Sequence, residues 1–222
     1  MIRILQRLRQ ASEGTAPGGA APDGDVPDGD VPRLDAESAF FSTAWHGGPQ
    51  GPLVPWEARA VELGARPLAP RAALRRLQAL WAHDRYLSTL APHALQRMER
   101  YLHFAAVKAQ RDVIQQDEYG NFMVVVLAGE LVVNRRQPWG ETQRLAQTGP
   151  GDLLGEMSLL DSGQRFSSCT TLVDSELAVL SAEALDDMLL HDPALAAQLI
   201  AILARKLSVR LRAVSSRLGH PS

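Results

Sequence analysis

Two side chains in one short stretch have the types and spacing to hold an anionic sugar derivative. The stretch runs Gly151-Asp-Leu-Leu-Gly155-Glu156-Met157-Ser158-Leu-Leu-Asp-Ser-Gly163-Gln-Arg165-Phe166-Ser167-Ser168. Arg165 offers a planar fork of donors that matches phosphate oxygens. Glu156 is an acceptor able to take hydrogen bonds from ribose hydroxyls. A helical turn starting at Gly155-Glu156 turns free N–H groups, at Met157 and Ser158, toward an anion. One loop thus carries a phosphate clamp and a sugar clamp. The same two residues, taken alone, also fit a surface salt bridge.

The elements around this loop decide between those readings. Short β-like runs separated by turn residues begin at His103: Phe104–Val107, Asp112–Gln115, Phe122–Leu127, Glu130–Asn134, Gln143–Ala146, Cys169–Leu172 and Glu176–Leu180. Many short strands at near-regular spacing predict a jelly-roll barrel, a double-stranded β-helix. Helices flank it. Pro70–Asp84 places Leu74, Leu77, Leu80 and Trp81 at helical spacing, and Pro92–Leu102 does the same with Leu95, Met98 and Leu102. Ser181-Ala-Glu-Ala reads as an N-cap with an acidic first turn. Asp192-Pro193 opens a long C-terminal helix to about Leu218. Its stripe Ile200, Leu203, Leu207, Leu211, Val214, Leu218 is nearly a coiled-coil seam and predicts a homodimer. The fold class is therefore mainly β with flanking helices.

The loop resembles the phosphate-binding cassette of cyclic-nucleotide-binding domains of the catabolite activator (Crp/Fnr) type. Gly155-Glu156-Met-Ser-Leu-Leu and Gly163-Gln-Arg165 match that cassette in order and spacing. The likeness extends upstream through Val113–Asp117, Gly120–Val133 and Gly149–Leu154, and downstream through the long helix, covering roughly residues 86–218. It implies a non-enzymatic sensor that binds cAMP or cGMP inside the barrel and signals to an unknown protein effector. Arg165 would pair with the cyclic phosphate and Glu156 with the ribose 2′-hydroxyl. Backbone N–H groups near Met157 and Ser158 would complete the cradle, and the long helix would cover the purine. Phe166 stands where relatives commonly carry Ala, Ser or Thr, so the usual phosphate-holding hydroxyl is absent there and Ser167 is the nearest substitute. Phe166 either stacks on the purine or fills the barrel. Arg210 falls where the bacterial activator reads the base, and it either reaches the purine or is a solvated helix residue. A ligand-independent interaction module of the same fold is the alternative. A transcriptional regulator acting indirectly is another: four residues follow Leu218, too few for a helix-turn-helix, so direct DNA binding is not expected.

Composition narrows the rest. The chain has 222 residues, 23 Lys+Arg against 25 Asp+Glu, and one Cys. Near-neutral charge gives no global pull toward nucleic acid. One Cys excludes an intramolecular disulfide framework, and the six His form no ligand-spaced pair, so no metal and no cupin-like enzyme is expected. No apolar run approaches the ~20 residues of a membrane span, and Arg7 and Arg9 break up a signal-peptide core, so a cytoplasmic location is expected. Four segments follow: a short basic piece at 1–10, an acidic Gly/Pro/Ala linker at 11–35, an irregular and helical lead-in at 36–85, and the sensor domain with its helix at 86–222. The linker has five acidic and no basic residues over positions 11–32, a composition that cannot offset its ordering entropy by burial.

Overall fold

The run Phe122-Met-Val-Val-Val-Leu-Ala128 is apolar at every position, and the computed structural model, which describes residues 51–218, shows why. Successive side chains of a strand point to opposite faces. Phe122, Val124 and Val126 enter one apolar cluster, whereas Met123, Val125 and Leu127 enter another. This strand is buried on both sides, so it cannot show the polar alternation of a half-buried one.

In chain order the elements are β1 (Leu53–Val54), α1 (Trp56–Leu63), β2 (Arg66–Pro67), α2 (Pro70–Trp81), α3 (Pro92–Met98), β3 (His103–Val107), β4 (Asp112–Ile114), β5 (Tyr119–Gly120), β6 (Phe122–Ala128), β7 (Leu131–Arg136), β8 (Thr142–Thr148), β9 (Leu153–Leu154), α4 (Glu156–Asp161), β10 (Ser168–Thr171), β11 (Ser175–Ser181), α5 (Ala182–His191) and α6 (Pro193–Leu218). Single turns of 3-10 helix at Leu87–Thr89 and Glu99–Tyr101 flank α3. The expected helix over 92–102 therefore tightens in its last turn.

Two sheets face each other. One has the order β4-β10-β7-β8, the other β2-β3-β11-β6-β9, and β1 pairs separately and in parallel with β5. The ladders within both larger sheets are antiparallel. Val113, Ile114, Val124, Leu131, Val133, Cys169, Leu177 and Val179 fill the space between them. Helices cover the outer face of the five-stranded sheet. Leu74, Leu77 and Trp81 of α2, Met98 of α3, Leu185 and Met188 of α5, and Leu195, Leu199 and Leu203 of α6 all join Met123, Val125 and Leu127 there. Each fully buried Leu of this layer contributes about 1.5–3 kcal/mol. By contrast, the edge strand β8 is exposed along nearly all its length.

The long helix divides into two halves. Leu195, Ala196, Leu199, Ile202 and Leu203 are buried within this chain, while Val209, Leu211 and Val214 are exposed. Of the expected seam, Leu203 is thus spent on the chain's own core, and Leu211 and Val214 remain outside it. The basic piece 1–10, the linker 11–35 and Phe40, Phe41 and Trp45 lie outside the described residues, as does the side chain of Leu218.

Candidate functional site

Arg165 has its main chain tied to the loop that precedes β6. Its N–H donates to the Glu118 carbonyl at 2.8 Å, and its own carbonyl accepts from the Asp117 N–H at 2.9 Å. A single bridge between Tyr119 and Gln164 continues the pairing. The side chain then turns inward and is 3% exposed. Nη2 donates to the Phe122 carbonyl at 2.8 Å and Nη1 to the Gly155 carbonyl at 3.2 Å. The guanidinium also lies over the Phe122 ring, 4.5 Å from its centre, a cation–π geometry.

Two glycines make room for it. A Cβ at Gly120 would sit 2.3 Å from Arg165 Nε, and one at Gly155 would sit 2.6 Å from Nη1. Gly155 additionally adopts φ +80° to start α4, a conformation that glycine enters without a Cβ clash. Burial brings the Arg165 pKa down to about 10. Desolvation disfavours the charged form, and the nearby Arg59 adds like-charge repulsion, while Cys169 and Glu118 act in the opposite sense. The hydrogen-bond acceptors on its guanidinium are neutral carbonyls, so the cation keeps charge to offer an incoming anion.

Glu156 begins α4 and its side chain is 7% exposed. Its carboxylate is ion-paired with Arg210 Nη1 from α6, and Arg210 Nη2 donates to the Leu153 carbonyl at 3.0 Å. Arg210 is thus neither a free solvated residue nor remote from the loop; it ties the long helix to Glu156. Phe166 does not fill the barrel. It is 55% exposed, with Arg135 stacked 3.8 Å from its ring centre and donating from Nη1 to its carbonyl at 2.8 Å. Met157 is exposed and Ser158 buried. Ser167 is half-buried in a bend ahead of β10, and the next hydroxyl, Ser168, accepts from the Gln116 N–H at 2.9 Å.

The structure therefore gathers Gly155, Glu156, Arg165 and Arg210, and turns Phe166 and Met157 outward. Gly120, Glu118 and the Phe122 carbonyl were not legible as site residues. Gly120 reads in sequence only as part of a turn, and a carbonyl contact leaves no mark on residue type. Among the described residues no group of three His, Cys, Asp or Glu side chains is placed to hold a metal ion, and no helix is long and apolar enough to cross a membrane.

A double-sheet antiparallel jelly roll, with a Gly-Glu turn and a buried arginine on the same loop and a long helix laid against it, is the class of fold that the chain adopts. Residues 105–192 match the family model of the cyclic nucleotide-binding domain, and this part of the chain is such a domain. The chain is 33% identical over 118 residues to the cyclic AMP receptor protein of Thermus thermophilus, a match covering 53% of this chain and 55% of that protein. It is 29% identical over 116 residues to a CRP-like cAMP-activated global transcriptional regulator of Mycobacterium tuberculosis, covering 52% of each. The chain thus spans about half the length of the curated relatives it matches. Among solved structures, a cyclic nucleotide-binding domain from Methylobacillus flagellatus superimposes with a TM-score of 0.62 at 23% identity, over 69% of this chain and 85% of that one. That likeness is one of fold.

Proposed function

We propose that this protein is a non-enzymatic cyclic-nucleotide sensor. It binds cAMP or cGMP between Arg165 and Glu156 and passes the binding event to a protein partner. The observation that supports this most is the Arg165 guanidinium, buried on neutral carbonyls in a cradle made by Gly120 and Gly155. A cyclic phosphate supplies the negative charge that this buried cation lacks among its hydrogen-bond partners. Glu156 takes the ribose 2′-hydroxyl once Arg210 yields one of its carboxylate oxygens. The relatives named for cyclic AMP favour cAMP as the first ligand to try. The exposed Leu211 and Val214 suit a second copy of α6, and a cytoplasmic setting suits such a sensor.

Titration calorimetry of the full chain with cAMP and cGMP tests the reading. Saturable heat in the wild type, lost in Arg165→Ala while far-UV circular dichroism is unchanged, is the expected result. No heat with either nucleotide at millimolar concentration overturns it.

A second reading has its own observation. Arg210 already occupies the Glu156 carboxylate, as a module that works without ligand would arrange it. In that case, sedimentation velocity shows the same assembly with and without nucleotide.

A further inference from the structure

Residues 53–63 precede the matched domain, yet they are built onto the loop that holds Arg165. β1 pairs in parallel with that loop, Leu53 opposite Tyr119 and Val54 opposite Gly120. Trp56 packs edge-on against Phe122, with ring centres 5.5 Å apart. One turn later α1 presents Arg59, which is 2% exposed. Its Nη1 donates to Glu62 at 2.7 Å, and its Nη2 is ion-paired with Glu118. Gln115 completes the cluster: with its amide oxygen turned to Arg59 it accepts from Nη1 at 2.8 Å and donates to Glu118 at 3.0 Å.

A buried arginine is expensive unless its charge is matched. Here the partner is Glu118, the residue whose carbonyl receives the Arg165 N–H. The side chain of Glu118 faces Arg59, and its main chain faces Arg165. A shift in one is therefore a shift in the other. The electrostatics agree with that proximity, since Arg59 is one of the charges that lower the Arg165 pKa.

We propose that Arg59 is a positioning residue for Arg165: by gripping Glu118 from α1 it fixes the 117–120 loop, and through it the seat of the Arg165 guanidinium. The role in ligand binding rests on the reading that Arg165 meets the nucleotide phosphate. The mechanical part does not. The region ahead of the domain is then coupled to the site, because anything that lifts α1 loosens the anion-holding arginine, and by linkage an anion held there favours docked α1.

Amide hydrogen exchange on the full chain, without ligand, tests the mechanical part. Arg59→Met keeps most of the stem and removes the fork. Glu118→Gln cuts the same pair from its half-exposed side, and serves if Arg59→Met does not fold. Amides at 117–120 and 164–166 are expected to exchange about tenfold faster in either variant, with β6 and β11 unchanged. Arg59→Lys, which keeps the charge, is expected to restore most of the protection. Wild-type exchange in both disrupted variants overturns the proposal. So does loosening spread evenly into β6 and β11, which marks general destabilisation. Calorimetry with cAMP and with cGMP on the same proteins then separates the two readings. A wild type that gives no heat removes the nucleotide reading and leaves the exchange result to decide the role of Arg59.

Discussion

Gly120→Ala tests the arginine cradle with one added methyl group. The new Cβ would stand 2.3 Å from Arg165 Nε, 2.5 Å from Nη2 and 2.6 Å from Cζ, whereas ordinary contact begins at 3.4 Å. The guanidinium must therefore retreat by 3.4 − 2.3 = 1.1 Å. It is the far end of a flexible side chain, so it can move while the backbone stays. Gly120 has no positive φ, and alanine there brings no left-handed strain. The retreat weakens the Arg165 hydrogen bonds to the Phe122 and Gly155 carbonyls, and bonds from a charged donor are worth about 1.5–3 kcal/mol each. Partial loss of the two costs about 2 kcal/mol, or roughly 4–8 °C in Tm for a chain of this size. Binding suffers more. A misplacement of about 1 Å in a group that must meet its ligand costs on the order of 10²-fold, or about 2.7 kcal/mol. The assay is paired: thermal unfolding for the fold and calorimetric titration with cAMP and cGMP for the site. Gly140→Ala is the control. That residue has φ +94° with nothing within 4 Å of the added carbon, so it brings strain of about 1–2 kcal/mol and no change in affinity. Wild-type affinity in Gly120→Ala would refute the reasoning, because Arg165 would then not be held where the anion meets it.

Three further outcomes are expected. Cys169 is buried in the barrel and its thiol is pushed up to about 12 from 9.0, chiefly by desolvation. At pH 8 the native protein should therefore react with iodoacetamide about a thousandfold more slowly than the unfolded chain, and rapid single labelling by mass spectrometry under native conditions would contradict this. Arg97 donates to Asp192 at 2.5 Å, and that hydrogen bond holds the Asp192 carboxyl below its usual 3.8. The stabilisation is fully present above the unfolded value and is lost as pH falls through the depressed folded one. The Tm of the wild type should thus fall more steeply than that of Arg97→Ala below about pH 4, and parallel curves would count against the pair. Arg210→Ala should free the far half of α6 from Glu156. Arg210 is half exposed, but its removal leaves the buried Glu156 carboxylate without its partner, so stability should fall by about 1–3 kcal/mol, and amide exchange at 207–214 should rise. Unchanged exchange there would show that the tie does not hold the helix.

The barrel was legible because its strands announce themselves in two ways. β6 is apolar at every position and β11 is apolar from Leu177 to Leu180, as stretches covered on both faces must be, and turns rich in Gly, Asp and Pro separate them. The long helix was equally plain from Pro193 onward. The paired strands β1, β2, β5 and β9 were not. Each is two residues long and exists only through its partner, so no periodicity can reveal it. α1 was missed for a different reason. Its buried residues are Trp56, Arg59 and Leu63, and an arginine on the inner face reads in sequence as an outer one. The site divides the same way. Glu156 and Arg165 stand out in the sequence as candidates by residue type, and by the resemblance of their loop to a phosphate-binding cassette. That Arg210 would seek Glu156, or that Phe166 would lie beneath Arg135, depends on which strand and helix come to face the loop. That information is tertiary.

The uneven packing of α6 turns the helix into a lever. Leu203 is the last of its buried leucines, and the 15 residues from there to Leu218 extend about 22 Å at 1.5 Å per residue. Arg210 grips this arm about 10 Å from the pivot, near its midpoint. If the grip on Glu156 gives by about 1 Å, the far end swings by about 2 Å, and a tilt of about 10° carries it about 4 Å. Such a displacement is comparable to a side-chain contact, enough to make or break one with whatever lies alongside. The weakest-held half of the helix is thus the half with the greatest reach.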